Sequence, residues 1–231
     1  MSNMASVKQK TTIREYQDFV KEVYGLPNDR YFSLWDMVSN MERFMMRGLK
    51  GIRKNDKEKI KINLLLAFSW FISIINQLHI NIENQTWKRF PYLCSYCGSC
   101  PCSCKEKKIE KRQNVSMDES KRPRTLEEFQ DMFSKIYPVE TRTIEHAGIH
   151  LTEEAGEFSE ALLTYRGGHK DEDFKNLELE AADFFSCIMS AFNSLGMSVA
   201  KELSVIFSNN CHVCKSAPCT CNFKDITDFK S

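Results

Sequence analysis

The sequence predicts an all-α protein made of two tandem helical bundles. Three observations carry that expectation: apolar residues recur at helical spacing with no sustained β-branched alternation, the chain repeats itself, and each copy closes on a cluster of cysteines. TIREYQDF from Thr12 returns as TLEEFQDM from Thr125, an offset of 113. MVSNMERF from Met37 returns as LTEEAGEF from Leu151 at 114, and CSYCGSCPCSC from Cys94 as CHVCKSAPCTC from Cys211 at 117. Offsets that drift so little across separate blocks indicate a tandem duplication. The expected domains are therefore residues 1–104 and 125–231, joined by a linker over 105–124 with eight basic and four acidic residues and almost nothing apolar. With no aromatic interleaved to stack on bases, the linker reads as a solvated spacer and nucleic acid as an unlikely ligand.

In the second copy, Leu126 to Tyr137 reads as a first helix. Residues 144–166 form a second, stopped by Gly167-Gly168. Phe174 to Ser194 form a third, and after Gly196 a fourth runs from about Ser198 to Asn209.

Composition bounds the function classes. A hydrophobic fraction of 42%, a charged fraction of 27% and a net charge of +1 are those of a globular chain with no global drive toward nucleic acid or membrane. The longest apolar run, Leu64 to Ile75, falls short of the roughly 20 residues that span a bilayer and reads as a buried helix in a cytoplasmic protein. Ten cysteines without a secretory segment point to metal thiolates rather than disulfides.

The second copy concentrates acid. Glu154 and Glu157 share a helical face, with Glu153 beside them, and Glu180 and Asp183 share a face of the following helix. Leu177, Ala181, Phe184, Phe185 and Ile188 around the second pair must be buried. Carboxylates at the edge of an apolar stripe, with few lysines or arginines nearby in sequence, repel one another and are costly unless a cation compensates them. A hard divalent ion with oxygen ligands, Mg2+ or Mn2+, is the economical solution. His146 and His150 precede the acids at i, i+4 and read as packing or surface residues.

EEAGE at Glu153 to Glu157, followed by EAAD at Glu180 to Asp183, resembles the EExxE…ExxD signature of the MazG-like, all-α nucleoside triphosphate pyrophosphohydrolases. The resemblance covers about residues 125–210. It implies that Glu154, Glu157, Glu180 and Asp183 bind Mg2+, and that a nucleoside triphosphate is cleaved between its α and β phosphates to give monophosphate and pyrophosphate. Glu153, if not fully used as a ligand, is the candidate to take the proton of the attacking water. The family's nucleotide-contacting Asn or Lys late in the bundle is matched by Lys201, Asn209 or Asn210. Family members usually pair, so the two copies are expected to form an internal pseudo-dimer, with further homo-oligomers possible. A basic group of the first copy, Arg43 above all, is then a candidate for the triphosphate.

The cysteines align as Cys94, Cys97, Cys102 and Cys104 against Cys211, Cys214, Cys219 and Cys221, each C-x2-C-x4-C-x-C. Four thiolates so spaced suit tetrahedral structural zinc, one ion per cluster, with an iron–sulfur cluster as the minor alternative. Cys100 has no counterpart, and Cys187 reads as a core residue.

The first copy has Asn40, Arg43, Asn63 and Leu66 where the second has the acidic quartet, so it is expected to keep fold and zinc while lacking the chemistry. The rival expectation to an enzyme is a non-catalytic nucleotide sensor, or a zinc-stapled module for protein interaction or nucleic-acid binding.

Overall fold

Every regular element among the described residues, 5–107 and 109–227 of this computed structural model, is helical. In chain order the elements are α1 (Ile13–Tyr31), α2 (Leu34–Arg53), α3 (Lys57–Gln77), α4 (Ile82–Arg89), α5 (Leu126–Ile136), α6 (Ile144–Gly168), α7 (Asp171–Ser194), α8 (Val199–Ile206) and α9 (Phe223–Thr227). Local chemistry sets many of the boundaries. Thr12 with Glu15, Ser33 with Asp36 and Thr125 with Glu128 form reciprocal capping boxes at the starts of α1, α2 and α5. Pro138 disfavours helical backbone at the residue before it, so α5 stops at Ile136, whereas α1 runs on through Pro27 to Tyr31. The glycine stop expected at 167–168 lies just inside α6, which ends with His169 in the left-handed region at φ 51°.

The helices group into two compact units, and the grouping does not follow the predicted domain boundaries. One unit is residues 1–80 with 198–231, and the other is 81–197. Each unit thus takes three long helices from one copy and the short helix with its cysteine cluster from the other. The first unit holds α1, α2, α3, α8 and the Cys211–Cys221 cluster; the second holds α5, α6, α7, α4 and the Cys94–Cys104 cluster. The physical reason is a main-chain hydrogen bond and apolar burial at each graft. Cys102 N donates to Ile136 O at 2.8 Å, tying its cluster to the end of α5, and Cys219 N donates to Val23 O at 2.7 Å, tying the other to α1. Phe207 packs tilted against Phe19 in the first unit and Phe90 edge to face against Phe133 in the second, and all but Phe19 are among the largest fully buried side chains. Fully burying a phenylalanine is worth about 1.5–3 kcal/mol, so each graft is strongly held.

The two units repeat the same hydrogen bonds. Gln17 Nε2 donates to Asn76 Oδ1 and Ile80 O, both at 3.0 Å, while Asn76 Nδ2 donates back to Gln17 O at 2.8 Å. Gln130, Asn193 and Met197 make the equivalent set at 2.8, 2.7 and 3.0 Å. The amides pin the first long helix of each unit to the end of its third, at positions where an unpaired amide would cost about 1–3 kcal/mol. In the first unit α2 packs along α3 and α1 lies against α3; in the second, α6 packs along α7, with α4 and α5 also on α7. By length and composition α3 is long and apolar enough to cross a membrane, yet most of it is buried within its unit. The segment read as a solvated spacer is tied down in part: Gln113 N donates to Tyr96 O at 2.9 Å and Tyr96 OH to Ile109 O at 3.1 Å.

Candidate metal centres and acidic cleft

The second unit carries a cleft of about 240 Å3 lined by residues from the middle of α6 and α7. Its floor is acidic. Carboxylate oxygens of Glu154 and Glu157 from α6 and of Glu180 from α7 all lie within 4.8 Å of one another, as the i, i+3 spacing on α6 and the antiparallel neighbour α7 require. That separation fits shared coordination of a hard cation with metal–oxygen distances of about 2.0–2.6 Å. Glu154 Oε2 is buried with no hydrogen-bond partner, an unsatisfied acceptor facing the other carboxylates. Burial, then the charges of Asp183, Glu157 and Glu180, push the Glu154 carboxyl up from its usual 4.5 to about 8. Glu180 is raised by burial and by the same neighbours.

Asp183, expected as the fourth ligand, lines the same cleft but is held by Arg89 of α4 through both carboxylate oxygens, Nε reaching Oδ1 at 3.0 Å and Nη2 reaching Oδ2. Burial disfavours the guanidinium charge, but the Asp183 contact outweighs it, so the Arg89 pKa is raised. The pair is nearly enclosed, with side chains 11% and 13% exposed, and such a pair is expensive to break. Glu153 stands apart: its side chain is 58% exposed and its carboxylate meets His150 Nδ1 at 3.3 Å. It does not line the cleft. His146 and His150 pack edge to face with ring centroids 4.6 Å apart, as packing residues do. Cys187 is buried beside the floor, and burial holds its thiol well above the usual range.

Of the residues expected to touch substrate, Lys201, Asn209 and Arg43 belong to the other compact unit. Lys201 and Asn209 are exposed there, and Arg43 donates to Asn40 Oδ1 at 2.7 Å and to Ile226 O at 3.4 Å. The cations that line the cleft are instead Arg89, Arg112 and Arg142. One signal in the sequence points to Arg89. At the offset of 117 that aligns the third helices and cysteines, Arg89 stands opposite Ile206, so only the short helix that joins the acidic unit carries a cation at this position.

Both cysteine groups assemble as the spacing predicts: Cys94, Cys97, Cys102 and Cys104, and Cys211, Cys214, Cys219 and Cys221. Their geometry discriminates metal from disulfide. Sulfur pairs stand 3.7 Å apart at Cys94–Cys104, 3.9 Å at Cys97–Cys102, 3.8 Å at Cys211–Cys221 and 3.7 Å at Cys214–Cys219. A disulfide bond is about 2.05 Å long. The edge of a tetrahedron with metal–sulfur bonds of about 2.3 Å is roughly 3.8 Å, so the thiols fit a closed tetrahedral site for zinc. Backbone donors prepare them. Burial opposes ionisation of Cys97, yet the N–H groups of Ser103 and Ser99 outweigh it and bring the thiol down to about 6. Cys100 is exposed and lies outside the four.

Compared with known proteins, the chain matches no protein-family model, no curated protein and no solved structure.

Proposed function

We propose that the chain is a Mg2+-dependent nucleoside triphosphate pyrophosphohydrolase, cleaving between the α and β phosphates to give monophosphate and pyrophosphate, with two structural zinc ions. The observation that carries the reading is the floor of the cleft: three carboxylates from two adjacent helices within 4.8 Å, one of them with an unpaired buried oxygen, opposite arginines. The EEAGE and EAAD motifs that resemble the MazG-like enzymes are the segments that build this floor. Glu154, Glu157 and Glu180 would hold the ion. Bound there, the metal would neutralise phosphate charge and lower the pKa of a coordinated water. Glu154, protonated at neutral pH in the bare cleft, must give up its proton for coordination. Asp183 would complete the oxygen set if Arg89 turned from it to phosphate, an exchange of one anionic partner for another.

Incubation of the chain with ribo- and deoxyribonucleoside triphosphates and Mg2+ tests the proposal: monophosphate plus pyrophosphate is expected, and absence of turnover across the panel would sink it. A specific observation favours a second reading. Because Arg89 already satisfies Asp183, the cleft as it stands offers three ligands rather than four, which suits a non-catalytic nucleotide sensor. Nucleotide binding without products would select that reading.

A further inference from the structure

The cleft has a second wall that the proposed chemistry does not explain. Arg112 lies over the Tyr96 ring with its guanidinium carbon 5.9 Å from the centroid, and Arg142 lies over Tyr137 at 4.7 Å. All four of these residues line the cleft. A guanidinium stacked flat on a ring keeps its N–H edge free for a planar pair of hydrogen bonds to an anion. Among the described residues no carboxylate lies within ion-pair distance of Arg112 or Arg142.

The rings that carry these arginines are themselves fixed by a cysteine cluster. Tyr96 sits between Cys94 and Cys97, and its carbonyl and hydroxyl hold the chain at Gln113 and Ile109 on either side of Arg112. Tyr137 OH donates to Cys94 Sγ at 3.6 Å, and Cys102 N donates to Ile136 O next to it. The other cluster lacks the device, because Val213 stands at the position of Tyr96 and no counterpart of Arg112 follows.

Charge decides what such a cleft can take. With Glu154 protonated in the bare cleft, three ionised carboxylates face three guanidiniums and the charge is balanced; a divalent ion that displaces the Glu154 proton leaves one net positive charge, which favours an anion. We propose that Arg112 and Arg142 form an anion-recognition wall for the polyphosphate of a metal–polyphosphate ligand, and that the Cys94–Cys104 cluster is the positioning element of that wall. The proposal rests on the metal–polyphosphate reading of the same cleft.

Calorimetric titration of the zinc-loaded full chain with inorganic tripolyphosphate and Mg2+ tests it. Arg112→Ala and Arg142→Ala are each expected to weaken binding about tenfold, as loss of a charge-assisted hydrogen bond does, and the double variant by more. Exposed Lys10→Ala is the control and should bind as the wild type does. Cys104→Ser should weaken binding while Cys100→Ser, exposed and outside the four, leaves it unchanged. If Cys104→Ser folds, by its helical signal and melting curve, and binds normally, the positioning role is overturned. Normal binding by the arginine double variant overturns the wall. A wild type that binds tripolyphosphate through these arginines yet hydrolyses no nucleotide leaves the wall standing and removes the enzyme. A wild type that hydrolyses nucleotides, with KM unchanged in the double variant, does the reverse.

Discussion

The acidic cleft and its counterpart in the other unit occupy the same places on the same helices, yet one is a cleft of about 240 Å3 floored by carboxylates and the other a narrower cavity of about 60 Å3 lined mainly by apolar groups, among them Leu66, Trp70 and Phe207. At the positions of Glu154, Glu180 and Asp183 the first unit has Asn40, Asn63 and Leu66, which are 7%, 0% and 3% exposed. The two amides turn back on their own helices, Asn40 Nδ2 donating to Asp36 O at 2.9 Å and Asn63 Nδ2 to Lys59 O at 2.7 Å. Glycines let the helices close. A Cβ on Gly51 would lie 2.9 Å from the backbone nitrogen of Ile60, and one on Gly48 2.9 Å from a methyl of Leu64. The equivalent residues of α6 are Leu162 and Tyr165, whose side chains forbid so close an approach to α7. The lesson is that the two units differ in helix approach as well as in ligands. Restoring acids at the buried Asn40, Asn63 and Leu66 would place charge among apolar groups, whereas the wider acidic cleft has room for an ion.

That comparison can be broken at several points. The largest effect should come from Glu157→Ala, expected to lower turnover by at least about 10²–10³-fold, the usual cost of one electrostatic stabiliser, while circular dichroism still shows a helical chain. Activity surviving Glu157→Ala together with Glu180→Ala would remove the floor from the chemistry. In the first unit, Asn63→Glu puts a carboxyl at a fully buried position. A cost of about 3 kcal/mol or more is expected, which for a chain of this size lowers Tm by roughly 10 °C. An unchanged Tm would mean that the pocket opens readily.

The reciprocal graft makes its own prediction. Cys221→Ser should raise amide hydrogen exchange in α1 and α3, and Cys94→Ser in α5 and α7, because each cluster is bonded to the long helices of the other copy. Exchange rising instead in the helices just before each cluster in sequence would restore the simple tandem boundaries. Helix approach is tested by Gly51→Ala, expected to cost about 1–3 kcal/mol through a clash with the backbone of Ile60, against Gly156→Ala on α6. Nothing lies within 4 Å of a Cβ at Gly156, so alanine there should stabilise by up to about 1 kcal/mol in a denaturant titration.

A further effect is on pH dependence. The Glu154 carboxyl titrates at about 8 in the folded chain against 4.5 ordinarily, so folding takes up a proton between those values. Stability of the metal-free protein should therefore fall as pH rises from about 4.5 to about 8, and Glu154→Gln should flatten that slope. A slope unaffected by Glu154→Gln would mean that the acid is not confined as the cleft geometry requires.

Local patterns in the sequence determined the helices, the two C-x2-C-x4-C-x-C sets and the contrast between the acidic quartet and its neutral counterpart, because spacing of three and four residues along one helix fixes which side chains share a face. The matching hydrogen bonds of Gln17 and Gln130, by contrast, were visible only in the structure. Tertiary structure alone decided the exchange of α4 and α8, since each short helix, followed by an equivalent phenylalanine at Phe90 or Phe207, fits the long helices of either copy by pattern. From that exchange follow the capture of Asp183 by Arg89, 94 residues earlier in the chain, and the placing of Tyr96 and Arg112 at the rim of an acidic cleft. Long-range charge pairing of this kind leaves no periodic trace in sequence, because it depends on where a helix docks and not on which face it shows.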